Sequence, residues 1–402
     1  MNEAVRATAC AFVFSLTASA SAQGNVGAQG VTPQWTFSGR GLVSSPVVIS
    51  GDEELDPDWR LVDFADTQLA TRVDSALYDD TIASFAFGAR LTDADNPLWP
   101  VYIMQTEAAI QGRHVVFQIG RRRRPSGGVT MPTLRDEDLL SFVYPLNPYS
   151  EGALEEDAIF TDLISTTFRA GFRWHAQLFL ESLRNTTETG DPSSRAGIKP
   201  NSGGVGLFYS QLPALHRVSI VRQLGVWAFL QPEGVDGNET TTFQVKAESA
   251  TNLWPDPIHL VDVRTNIIYH HGEDGASFSG AGDTWRSSSV SGALALRYLW
   301  APYQIDRLQG AVSVGARRLV APRAWELAVI PSFVYMAGGN VDIIGQYAFY
   351  RRSRQLSTLE EIDATEHRAE VAVSYTFDVP LYGTVNIPRD LVNADYNYVP
   401  VN

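Results

Sequence analysis

The sequence predicts an all-β fold, a transmembrane antiparallel up-and-down β-barrel of about sixteen strands. Three observations carry this. The composition pairs 44% hydrophobic and 11% aromatic residues with only 19% charged ones, which excludes a disordered or collagen-like chain. No segment after the leader supplies the roughly 18 apolar residues that a membrane helix needs. Segment after segment instead alternates apolar and polar residues with a period of two, the spacing that sends successive side chains to opposite faces of a strand.

Residues 1–22 are expected to be a signal peptide. Arg6 precedes an apolar stretch from Ala7 to Leu16, and Ala20-Ser21-Ala22 gives the small-x-small pattern that signal peptidase accepts. Cleavage before Gln23 predicts export. The single Cys of the chain, Cys10, lies in this leader without the Leu-x-Gly context of a lipoprotein site, so no disulfide framework is expected. A net charge of −14 disfavours nucleic acid as a partner. Residues 23–32 form a short Gly-rich lead.

Strands are expected at 33–48, 60–76, 81–91, 101–110, 114–122, 160–169, 174–183, 203–211, 216–230, 241–251, 258–270, 286–299, 304–319, 324–336, 341–352 and 366–377. Phe243, Val245 and Ala247 share one face and Gln244, Lys246 and Glu248 the other. Val261, Val263, Thr265, Ile267 and Tyr269 likewise oppose Asp262, Arg264, Asn266 and His270. Tight connections, such as Leu77 to Asp80 and Ala170 to Arg173, alternate with longer ones at 49–59, 92–100, 123–159, 184–202, 231–240, 271–285 and 353–365. Short turns at one end and long loops at the other are the rhythm of membrane barrels. The short link from Val320 to Arg323 breaks it. The barrel is placed at 33–377, with a tail at 378–402 that either enters the lumen or hangs in the periplasm.

A soluble β-sandwich would also alternate, with its apolar faces packed together. Here the polar faces mix Gly, Ser and Ala with Arg and Asp, and aromatics recur near strand ends on the apolar face: Trp35, Tyr209, Tyr269, Tyr298, Trp300, Trp325, Tyr335, Tyr347 and Tyr375. That distribution fits the aromatic girdles of a membrane barrel.

Two resemblances follow. Val371, Val373, Tyr375 and Phe377 alternate and end on an aromatic, which resembles the C-terminal signal read by the outer-membrane barrel assembly machinery, although residues 378–402 follow it. Gln118-Ile119-Gly120-Arg121-Arg122, with Leu146-Asn147-Pro148 in the long loop beyond, resembles the layout of alginate-export and related substrate-selective porins. By architecture the chain is similar to Gram-negative porin-type barrels over most of its length. The resemblance implies a cell outer-membrane location, contact with outer-membrane lipid and lipopolysaccharide, and passive diffusion of small hydrophilic solutes, without cofactor or metal.

Strand phase assigns Arg40, Arg72, Arg90, Arg122, Arg169, Lys246, Arg264, Arg297, Arg307, Arg317, Arg352 and Arg368 to the lumen, against Asp66, Asp74, Glu181, Glu248, Asp262, Glu326, Asp342 and Glu370. The basic excess favours anionic solutes; equally, these charges can pair across neighbouring strands and only solvate the wall. Loop 123–159 carries Arg123, Arg124, Asp136, Glu137, Asp138, Glu155, Glu156 and Asp157. Folded inward it forms a constriction with charge selection; folded outward it is an external acidic loop. An enzyme barrel is the alternative from another class. The phospholipase pattern of His and Ser two apart on one strand is absent around His114, His175, His216, His259, His270, His271 and His367, so no catalytic residue is assigned. His270-His271 with Glu273 and Asp274 is read as a polar rim, because adjacent strand residues point to opposite faces. A structural surface barrel is the third class.

Overall fold

The computed structural model describes residues 33–50, 58–59, 67–78, 81–91, 101–112, 114–123, 129, 131–132, 155–164, 172–182, 202–211, 216–231, 242–274, 285–302, 305–319, 324–338, 340–355 and 361–382. The expected signal peptide, the lead and the tail beyond residue 382 lie outside them.

The described residues form one 17-stranded sheet. Its strands are β1 (Gln34–Ser50), β2 (Asp58–Trp59), β3 (Gln68–Tyr78), β4 (Thr81–Leu91), β5 (Val101–Gly112), β6 (Val115–Arg123), β7 (Glu155–Ile164), β8 (Phe172–Ser182) and β9 (Ser202–Gln211). They continue as β10 (Val221–Gln231), β11 (Thr242–Trp254), β12 (His259–Asp274), β13 (Trp285–Trp300), β14 (Leu308–Leu319), β15 (Ala324–Gly338), β16 (Val341–Gln355) and β17 (Glu361–Tyr382). From β3 to β17 each strand pairs antiparallel with the next in sequence. β1 joins β3 on one side and β17 on the other, so the sheet closes on itself. The two-residue β2 adds a short pairing to Val47 and Val48.

The burial pattern separates a membrane barrel from a sandwich. Val205 and Leu207 of β9 are 54% and 57% exposed, and Val226, Ile267, Leu294, Val314, Val371 and Val373 are exposed on the same outer face. Lys246, Glu248, Asp262, Asn266 and Glu326 are buried on the inner one. A soluble sandwich requires the reverse distribution. The girdle aromatics face outward too: Trp35, Tyr298, Trp300 and Tyr335 near the turn end, and Tyr269, Trp325 and Tyr347 toward the loop end.

Four expected elements differ. The segment 60–76 is replaced by β2 and by β3, which starts at Gln68. The strand expected at 160–169 lies at 155–164 instead, in a register that sets Glu155, Glu156 and Asp157 against Arg123, Arg122 and Arg121. That register makes the acidic run part of β7 where a loop was expected. Residues 216–220 form a turn before β10, because Asn252 Nδ2 donates to the carbonyls of His216 and Ser219 at 2.6 Å each and Gln211 Nε2 donates to Ser219 Oγ. β17 runs past Phe377 to Tyr382, with Val379 and Leu381 continuing the outward alternation, since the first residues of β1 pair with Asp378 to Tyr382.

The turn end is braced across three connections. Arg217 Nη1 donates to the Pro257 carbonyl at 3.0 Å, and Arg217 Nη2 pairs with Asp306, tying the β9–β10, β11–β12 and β13–β14 turns together. Asp256 accepts the backbone N–H groups of Ile258 and His259 at 2.7 and 2.8 Å. Those two donors hold its carboxyl below the usual range.

Candidate pore and constriction

The inner wall of the barrel is the candidate site, and part of the long β6–β7 connection lies against it. Val129 and Met131 are 2% and 3% exposed. Asn266 Nδ2 of β12 donates to the Val129 carbonyl at 3.0 Å, and Ser332 Oγ of β15 donates to the Pro132 carbonyl at 2.8 Å. Met131 packs on Ala293, Ala295, Ala328, Ile330 and Ala348. Four alanines at inward positions of β13, β15 and β16 leave room for a chain segment that longer side chains would fill. Val129, Met131 and Pro132 therefore lie inside the lumen against β12–β16. Of the expected constriction residues, Arg124, Asp136, Glu137 and Asp138 lie outside the described residues, whereas Arg123, Glu155, Glu156 and Asp157 sit on β6 and β7 and not in a loop.

A second sector is filled by an aromatic cluster absent from the expectations. Val116, Phe208, Trp227 and Phe229 are buried together inside the barrel. The Trp227 ring stacks at 5.5 Å on Phe208 and at 6.3 Å on Phe229. It also lies where a Cβ on Gly206 would sit, 2.3 Å from Trp227 Cε3. Only glycine admits the ring at that position.

The charged wall is built of pairs. Arg72 Nε meets Asp74 Oδ1 at 2.7 Å, and Arg72 Nη2 donates to Ser84 Oγ. Lys246 Nζ is 3.3 Å from Glu248 Oε2, both side chains fully buried, and Gln223 Nε2 donates to Glu248 Oε1. Arg317 Nη1 is 3.7 Å from Glu326 Oε2, while Tyr350 OH donates to Glu326 Oε1 at 2.7 Å. Arg368 pairs with Glu366 at 3.1 Å, and Arg40 lies within electrostatic range of Asp342. The expected lumen residue Arg307 instead donates to the Met336 carbonyl and secures the β13–β14 turn. Arg90, Arg122 and Arg352 lie on β4, β6 and β16.

Asp262 gathers several cations at once. Asp262 takes Arg297 Nη2 at 2.5 Å, Arg222 Nη1 at 2.6 Å and Arg264 Nε at 3.8 Å. Arg297 also reaches Gln309 Oε1 at 3.2 Å. Three guanidiniums thus share one carboxylate near the turn end. Simple alternation does not bring Arg222 inward, and it is missing from the expected list. The register with β11 shifts between Val221 and Gln223, and this bulge re-aims its side chain toward the lumen. The cluster reaches His216 in the adjoining turn, whose pKa is lowered first by burial and then by the neighbouring charges of Arg222 and Arg264.

Gly120 of the Gln118–Arg122 strand has a φ of +133°, and a Cβ there would come within 2.1 Å of the Thr106 carbonyl oxygen. Close approach to β5 demands glycine there. Asn147 and Pro148 lie outside the described residues. At the barrel seam, Phe377 contacts Phe37 at 5.2 Å and Tyr375 at 6.1 Å.

The anion-selective porin of Comamonas acidovorans superposes with a TM-score of 0.56 at 12% identity, covering 85% of this chain and 100% of that one. The chain has a porin-type fold. The outer membrane channel DcaP of Acinetobacter baumannii gives a TM-score of 0.56 at 11% identity, covering 86% and 97%. OmpF of Salmonella typhi gives 0.51 at 11% identity, covering 87% and 98%. No protein-family model matches the sequence, and no curated protein matches it.

The enzyme alternative meets an arrangement that same-strand spacing does not reveal. His271 Nδ1 and Ser288 Oγ are 2.8 Å apart across β12 and β13 on the outer face. Two further outward histidines bond cross-strand hydroxyls through Nδ1 in the same way, His259 with Tyr298 at 2.9 Å and His367 with Tyr347 at 2.6 Å. In two of the three cases the partner hydroxyl is a phenol, whereas His271 meets a serine.

Proposed function

We propose that the chain is a passive channel of a Gram-negative outer membrane for small hydrophilic solutes, with a preference for anions. The observation that carries the channel reading is the segment around Val129 to Pro132 lying inside a closed, inside-out barrel on a seat of small side chains. A chain segment part-way down a water-filled lumen narrows it and sets a size limit. The anion preference rests on the cluster around Asp262, where one carboxylate faces three guanidiniums. A local excess of positive charge on a low-dielectric wall raises anion concentration near it. The C-terminal aromatic alternation supports assembly in that membrane, and the Gly-Arg strand supports the resemblance to substrate-selective porins.

The test is a planar bilayer with a KCl gradient. The wild-type protein is expected to give a reversal potential on the anion side. Arg222→Gln, which leaves Asp262 with two guanidiniums, moves it toward cations. A cation-selective wild type defeats the anion reading, and absence of any conductance by folded protein defeats the channel reading.

A further inference from the structure

The outer face of β12–β15 carries a feature that permeation does not use. Ile267, Gly292, Ala316 and Leu327 lie directly opposite one another across four strands. The two small residues in the centre leave a trough of about 510 Å³ between bulky neighbours. Backbone packing does not require the glycine: a Cβ at Gly292 would meet nothing closer than 3.7 Å. The row above, toward the loop end, reads Val290, Arg318 and Trp325. Arg318 is exposed on this outer face one residue before β14 ends, and no described carboxylate pairs with it. Arg351, opposite Leu327, holds its guanidinium 5.4 Å over the Trp325 ring. Two cations thus cap the loop end of a trough lined by Ile267, Val290, Gly292, Ala316, Trp325 and Leu327.

A guanidinium facing hydrocarbon is costly, and near a membrane interface it is stabilised by phosphate oxygens. We propose that this trough is a binding site for one phosphorylated acyl lipid of the outer leaflet, with an acyl chain over Gly292 and Ala316 and a phosphate between Arg318 and Arg351. Arginine suits the role because its planar fork bonds two phosphate oxygens at once. The aromatic face of Trp325 holds Arg351 in position while packing on the lipid. The site lies outside the wall, so it stands or falls independently of the channel reading.

The test uses the full chain folded in detergent, mixed with a bisphosphorylated acylated glucosamine disaccharide, its dephosphorylated form or phosphatidylcholine, and examined by native mass spectrometry. The wild type is expected to retain one molecule of the phosphorylated lipid and neither of the others. Arg318→Gln removes charge-assisted bonds and weakens retention about tenfold. Gly292→Leu fills the trough and weakens it similarly. Heat-modifiable migration reports that both variants are folded, and both keep wild-type conductance. Equal retention of phosphorylated and dephosphorylated lipid overturns the proposal, as does wild-type retention by both variants. Displacement of the lipid by millimolar inorganic phosphate alone assigns the cations to free phosphate and overturns the lipid site. Assembly of several copies that Gly292→Leu abolishes gives the face to a second copy of the chain.

Discussion

Two charged clusters on the inner wall use the same residue types to opposite effect. At the loop end, Arg317 pairs with Glu326, whose other carboxylate oxygen accepts from Tyr350 OH. At the turn end, Asp262 is shared by Arg222, Arg264 and Arg297. A matched pair cancels its own field within a few ångströms and leaves little for a passing ion. Under the proposed anion preference, three cations gathered around one carboxylate raise the local positive field that a solute meets.

Removing the shared carboxylate should have the largest effect. Asp262→Asn removes the charge that three guanidiniums share, and loss of one partner from a buried ionic group costs about 3–5 kcal/mol. Glu326→Gln, which keeps an acceptor for Tyr350 and loses a single 3.7 Å pair, should cost less, about 1–3 kcal/mol. Urea unfolding of the two variants in the same detergent measures the difference. Equal losses would show that the two clusters are energetically alike and would break the comparison.

Selectivity sharpens the same contrast with a smaller structural disturbance. Arg317→Gln combined with Glu326→Gln deletes a matched pair and should leave the reversal potential where it is in the wild type. Arg222→Gln alone should move it. If the double variant shifts selectivity as much as the single one, the Arg317 pair contributes to the field and matching is the wrong criterion.

These contrasts also show what the sequence could carry. The outer face was legible because lipid contact enforces a strict period of two: Val261, Val263, Ile267 and Tyr269 all face outward as alternation requires. The inner face obeys a looser rule. Phase turns Arg264 and Arg317 inward, yet it cannot say that Glu326 waits on the next strand, because pairing depends on register. Arg222 escaped because a bulge breaks the phase beside it. Trp227 and Phe229 escaped because a lumen wall accepts aromatic and polar residues alike, so nothing in composition marks a filled sector. The acidic run at Glu155 reads as loop by charge alone and becomes strand only when Arg121 to Arg123 are set against it. The seat for Met131 was written in the sequence as inward alanines on β13, β15 and β16, and it becomes readable once the segment that uses them is known.

The constriction offers a milder perturbation than either charged cluster. Asn266→Ala with Ser332→Ala removes the two side-chain bonds that hold the Val129 and Pro132 carbonyls, each contributing about 1 kcal/mol. The segment should then visit positions off the wall, and single-channel records should show added current noise and altered conductance while the reversal potential, set at the turn end, stays put. Unchanged records would mean that Met131 on its alanine seat holds the segment by itself.

The smallest effect expected is a pH dependence at the turn end, where the cluster around Asp262 meets a titratable neighbour. His216 Nε2 lies 2.7 Å from the Gln211 carbonyl, and in the neutral ring that nitrogen donates. Burial and then the charges of Arg222 and Arg264 lower its pKa below the unfolded value, which is about 6.5. The folded state therefore holds fewer protons on this ring than the unfolded state between the two pKa values. Stability from this group is fully present above about pH 6.5 and is lost as pH falls through the folded pKa. His216→Asn should flatten that part of the curve. Arg222→Gln should flatten it partly by removing the nearer charge, whereas Glu326→Gln at the other end of the barrel should leave it unaltered. The apparent melting temperature from heat-modifiable migration at pH 7.5 and 5.0 measures all three, and an equal response to the Glu326 change would show that the two ends of the wall are not electrostatically separate.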